Sequence, residues 1–96
     1  MSVYIIAQIS ITDREVYNRY QARFMDVFRQ FKGELLAADE NAEVIEGEWT
    51  REKVILMRFP DKPAFEAWAY SPEYREIAKD RDAGSEGVFL LAKSFN

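Results

Sequence analysis

Val3-Tyr4-Ile5-Ile6-Ala7-Gln8-Ile9-Ser10-Ile11, followed at once by Thr12-Asp13-Arg14-Glu15, is the stretch from which the fold can be read. Its odd positions are all apolar, while Tyr4, Ile6, Gln8 and Ser10 are mixed. Side chains alternate between the faces of a strand, so this segment forms a strand with one core face and one amphipathic face. Thr12 with Glu15 three residues on reads as a capping box that opens a helix. Tyr17, Tyr20, Phe24, Val27 and Phe31 then recur at steps of three and four, with Val16 and Phe28 beside them, as one wide apolar stripe. Gly33 is placed to end that helix in the left-handed conformation.

Working outward, Glu34 to Ala38 reads as a second strand and Asp39 to Ala42 as a polar turn or bulge. Extended structure resumes at Glu43–Gly47, and Glu48–Glu52 forms a hairpin connection. Lys53–Phe59 is the third strand, stopped by Pro60, which removes a ladder donor. Asp61 caps a second helix with Pro63 in its first turn and Phe65, Trp68 and Ala69 on its apolar face. Ser71-Pro72 interrupts that helix and restarts it, with Ser71 as the new cap and Tyr74, Ile77, Ala78 and Arg81 on one face. Asp82–Ser85 reads as loop, and Gly87–Lys93 as a last strand that is apolar on both faces. The order strand, helix, strand, strand, helix, strand is that of the split βαβ, or ferredoxin-like, α+β sandwich: βαββαβ, a four-stranded antiparallel sheet with two helices on one face.

Two helices cover one face of such a sheet, and an uncovered antiparallel face should be polar. Here the last strand is apolar on both faces, the third carries Val54 and Leu56 on one side and Ile55, Met57 and Phe59 on the other, and the first places Tyr4 and Ile6 on its less apolar face. A monomer would show water a larger apolar patch than monomers usually tolerate. A two-fold homodimer with its sheets facing one another removes it. A monomer remains consistent only if the second strand or the C-terminus folds over the face.

Composition bounds the chemistry. The 96 residues make one domain, 1–96, with 48% hydrophobic and 31% charged residues, as in a globular chain. With no Cys and no His, the sequence excludes disulfides, thiol nucleophiles, Cys/His zinc sites and any Ser-His-Asp arrangement. A net charge of −4 argues against nucleic-acid binding, which needs a basic face. No stretch approaches the ~20 apolar residues of a membrane span, and no signal peptide is evident, so a cytoplasmic location and no membrane partner are expected.

Asp13 with Tyr17 and Tyr20, Glu46-Gly47-Glu48-Trp49, the strand end Arg58-Phe59-Pro60, and Trp68-Tyr70-Ser71-Pro72-Glu73-Tyr74 resemble the domain-of-unknown-function 1330 family, within the dimeric α/β-barrel group. The likeness spans nearly the whole chain, and its more specific parts are Glu-Gly-x-Trp and Ser-Pro-Glu-Tyr. It implies a ferredoxin-like protomer and a sheet-to-sheet dimer, and no settled activity. The wider group includes cofactor-free monooxygenases, haem-binding enzymes and small-molecule lyases or isomerases. The pocket His on which several of those enzymes rely is missing here, which speaks against haem, and no cofactor or metal is expected.

The candidate ligand-binding residues are Trp49, Ser71, Tyr74, Arg75 and Arg81. Trp49 offers a flat wall for an organic ligand, or an anchor against a partner chain. Ser71, Tyr74 and Arg75 surround a helix start whose free N–H groups, with a guanidinium, suit a small anion; an ordinary cap is the plainer reading. Arg81 lies seven residues after Tyr74 on the same helix side and adds a second cation, or pairs at the surface with Asp80, Asp82 or Glu86. Glu46 and Glu48 share a face if that segment is extended, which would let two carboxylates divide acid and base roles. Tyr hydroxyls of the first helix can point into a cleft between helices and sheet. Two functions fit: a homodimer that binds or transforms a small organic acid in that cleft, or a non-catalytic structural or regulatory dimer.

Overall fold

β1 (Val3–Ile11) takes an inner place in the sheet, and its alternation explains why: Val3, Ile5, Ala7 and Ile9 are buried on one side. A computed structural model describes all residues, Met1–Asn96. The order continues with α1 (Arg14–Phe28), β2 (Glu34–Asp39), β3 (Lys53–Phe59), α2 (Lys62–Ala69), α3 (Pro72–Gly84) and β4 (Ser85–Lys93). The strands lie in the order β2-β3-β1-β4, every neighbouring pair antiparallel. The four-stranded antiparallel sheet is as expected; three helices, not two, accompany it. Pro72 has no N–H to continue α2, and Ser71 caps a fresh start, so the second expected helix becomes α2 and α3.

One core fills the space between helices and sheet. Tyr17, Tyr20, Val27 and Phe28 from α1, Trp68 from α2 and Tyr74, Ile77 and Ala78 from α3 meet Ile55, Met57 and Phe59 of β3 and the buried side of β1. The Cα atoms span 33 × 31 × 16 Å, so the short axis holds one sheet and one helical layer. The other sheet face carries no layer. Register lays Ala37, Leu56, Ile6 and Leu90 in one row across it, between a row of Asp39, Val54, Gln8 and Val88 and a row of Glu34, Arg58, Tyr4 and Ala92.

Several local expectations change. The cap of α1 is Asp13, not Thr12: its carboxylate accepts the Val16 N–H at 3.3 Å, because the helix begins one residue later. The helix stops at Phe28, and Phe31 follows in turns closed by Gln30 N–H to Val27 O and Phe31 N–H to Phe28 O. Gly33 has no positive φ. It is required for space: a Cβ there would sit 2.6 Å from the Phe28 ring and 2.7 Å from that of Phe59. Residues 43–47 are not a strand: they belong to the connection between β2 and β3, and β3 is already paired on both sides by β1 and β2. Gly47 (φ +93°) turns the chain between Glu46 and Glu48, so those two carboxylates do not share a strand face, and both are exposed.

The expected loop at 82–85 is absent, because α3 runs directly into β4. Gly84 closes that junction. Its carbonyl accepts from the N–H groups of Thr12 and Asp13 at 2.9 and 3.1 Å, and a Cβ there would meet the Tyr17 backbone nitrogen at 2.7 Å. Backbone cannot move aside as a side-chain tip can, so only glycine lets α3 end against the start of α1. In β2 a bulge leaves Leu36 unpaired between Leu35 and Ala37.

Candidate ligand cleft

Three expected residues converge. Tyr74, Arg75 and Arg81, all from α3, line a cleft of about 820 Å³ between the helices and the sheet. Its floor includes Ile5, Ala7 and Ile9 of β1, and Trp68 and Phe89 stand in its walls. The helical repeat explains the grouping: Tyr74 and Arg81 are two turns apart on one face of α3, which the cap at Ser71 positions.

Ser71 itself is 7% exposed and fully engaged. Its hydroxyl donates to the Trp68 carbonyl at 2.8 Å and accepts the Tyr74 N–H at 3.1 Å. Trp49 does not join the group. Its indole N–H donates to Gln8 Oε1 at 3.2 Å, and Gln8 points to the sheet face away from the helices. Arg51 reaches Ser10 on the same face at 3.3 Å. The 40–52 connection thus covers the polar part of that face and leaves the row through Ile6 and Leu90 open.

At the heart of the cleft is a three-group chain. Arg81 Nη1 donates to the Tyr74 hydroxyl at 3.0 Å, and that hydroxyl is 2.8 Å from the Tyr20 hydroxyl. One phenolic proton lies in the Tyr20–Tyr74 bond, and the other has no acceptor in the protein. The Arg81 guanidinium also lies 4.6 Å from the Phe89 ring centroid and 3.0 Å from Asp82 Oδ1. Burial opposes its charge, but the Tyr74 hydroxyl and Asp82 outweigh that, and its pKa is raised. It is a permanent, half-buried cation. The sequence places Trp68 and Phe89 only as apolar positions of their elements, and Tyr20 as a stripe residue whose hydroxyl can reach the cleft. The signal for Tyr20 was its hydroxyl, because a buried phenol needs a partner.

Burial holds the Tyr20 phenol well above its ordinary range, reinforced by Tyr74, and pushes Tyr17 up to about 12 from 10.0. For an acid raised by folding, the stabilisation of the protonated form is complete below the unfolded value and fades as pH climbs through the folded one. Stability should therefore decline from about pH 10 towards about pH 12. A tyrosinate absorbance titration paired with circular dichroism checks this: Tyr17 and Tyr20 should ionise only as the fold is lost. Their ionisation near pH 10 with the fold intact would contradict the burial argument.

No set of three or more acidic side chains gathers as a metal-binding group. No helix is long and apolar enough to cross a membrane.

The sheet order β2-β3-β1-β4 with the helices on one face defines a ferredoxin-like α+β protein carrying a helix-to-sheet cleft. The chain belongs to the family described as Domain of unknown function (DUF1330), whose model matches residues 2–95. Among solved structures it is similar to the RPA0582 protein of unknown function from Rhodopseudomonas palustris. That match has 18% identity and TM-score 0.83, and covers 99% of this chain and 83% of that one. A dimeric ferredoxin-like protein of unknown function from Jannaschia sp. CCS1 matches at 13% identity and TM-score 0.76, covering 98% and 100%. SnoaB, a cofactor-independent oxygenase from Streptomyces nogalater, matches at 14% identity and TM-score 0.70, covering 99% and 94%. No curated protein matches the chain. At these identities the likeness carries the fold and not the activity.

Proposed function

We propose that the protein is a small homodimer that holds, and can transform, a small organic acid with an apolar or aromatic body in the cleft between helices and sheet. The supporting observation is the Arg81–Tyr74–Tyr20 chain at the side of an apolar cleft of about 820 Å³. That volume lies in the range of small-molecule pockets, which typically pair apolar walls with a few convergent polar groups. A carboxylate facing Arg81 gains a charge-assisted bond, and the spare phenolic proton supplies a second donor. Arg75, at the exposed side of the cleft, adds positive potential at its mouth. With no His or Cys in the chain, a proton transfer near neutral pH falls to Tyr or a carboxylate. The homodimer rests on the uncovered sheet face, and a dimeric neighbour of the same fold is consistent with it.

Thermal shift and calorimetry with aromatic and short-chain acids test the binding. Acids should stabilise the protein, and the matching primary amides should do so less. Arg81→Leu should weaken acid binding by about ten- to a hundredfold, the worth of one hydrogen bond to a charged group, with amide binding unchanged. If no acid in the panel stabilises the protein, the ligand reading fails.

A further inference from the structure

Lys53 is the one lysine that the fold buries: it is 5% exposed, whereas Lys32, Lys62, Lys79 and Lys93 are exposed. Strand alternation puts it there, since it opens β3 on the side of Ile55, Met57 and Phe59. Buried lysines usually have a carboxylate partner. Lys53 forms no salt bridge. Its Nζ donates to the neutral Gln21 Oε1 at 2.7 Å and lies 4.9 Å from the Tyr17 ring centroid.

A second cavity, of about 150 Å³, opens at this point between α1 and the β2–β3 side of the sheet. Lys53 and Gln21 line it together with Tyr17, Tyr20 and apolar groups that include Phe24, Leu35 and Ile55. The charged groups that act on Lys53 are Glu40 and Arg14, which are bonded to each other at 2.8 Å. The phenol that faces it, Tyr17, is held protonated by burial. Burial lowers the pKa of Lys53, with Arg14 acting in the same sense and Glu40 against. A desolvated amine in an apolar pocket is the form in which lysine is a nucleophile near neutral pH.

We propose that Lys53 captures a small apolar aldehyde or ketone in this cavity as an imine, independently of the acid cleft. The nitrogen lone pair forms the C–N bond as the carbonyl π pair moves onto oxygen, and a proton passes from nitrogen to that oxygen. The hydroxyl then departs as water with the second nitrogen proton, and the C=N bond forms. Amine and carbonyl give imine and water, with no oxidant or reductant. At about 150 Å³ the cavity suits a short-chain carbonyl compound.

Incubation of the intact protein with propanal and cyanoborohydride at neutral pH, followed by peptide mass mapping, tests this. The reagent reduces imines and leaves a propyl group where each formed. Lys53 should be labelled measurably faster than each of the exposed lysines, because burial lowers its pKa and leaves more of the amine neutral. The preference should vanish in urea. Labelling of Lys53 no faster than that of Lys32, Lys62, Lys79 and Lys93 would overturn the proposal.

Discussion

Phe59→Ala should cost about 3–5 kcal/mol, the usual range for removing a fully buried aromatic ring. Phe59 is 0% exposed and is the last residue of β3. Its ring meets Phe28 of α1 edge-on at 5.8 Å, Phe65 of α2 edge-on at 5.6 Å and Trp68 at 5.6 Å. The backbone at Gly33 closes over it, so no side chain stands by to fill the vacancy. A domain of this size has about 5–15 kcal/mol of stability in all, so the variant should unfold at much lower urea with an unchanged slope. A Phe59→Leu control keeps most of the volume and should lose less than half as much. Equal midpoints for Phe59→Ala and the parent protein would show that the two-layer core does not depend on this cluster.

The second large effect concerns assembly. Leu90 is 49% exposed in the protomer and ends the apolar row of Ala37, Leu56 and Ile6. Leu90→Lys leaves the protomer core untouched, because that side chain faces away from the helices. In a sheet-to-sheet dimer it buries an unpaired charge, which costs about 3 kcal/mol or more and weakens association by roughly a hundredfold or more. Sedimentation at micromolar concentration should give twice the 11.2 kDa chain mass for the parent and a single chain mass for the variant. Trp49→Ala should act in the same direction, since Trp49 lies on that face beside Gln8. A parent protein that sediments as a single chain would end the dimer reading.

The parts of the fold that local pattern dictates were readable from the residues. The bounds of β1 and β3 follow from alternation and from Pro60, and the restart at Ser71-Pro72 follows from proline's missing N–H. The end of α1 was not readable, because Phe31 keeps the apolar rhythm while its backbone has already turned. Nor was the direct passage from α3 to β4, which depends on Gly84 touching an element more than sixty positions earlier. The site divides in the same way. Tyr74 and Arg81 follow from spacing along one helix. Their link to Tyr20, and the docking of Trp49 on the opposite face, are tertiary contacts between residues 54 and 41 positions apart, which spacing does not encode.

The carbonyl of Gly84 has a mechanical consequence for the cleft. By holding the N–H groups of Thr12 and Asp13, it welds the far end of α3 to the root of α1, and the two helices then lie against each other along their length. α2 is held in another way, by the rings of Phe65 and Trp68 set among Phe28, Phe59 and Tyr74. The cleft therefore has one jaw, bearing Arg81 and Tyr74, that is braced through backbone, and one, bearing Phe65 and Trp68, that is anchored through side chains.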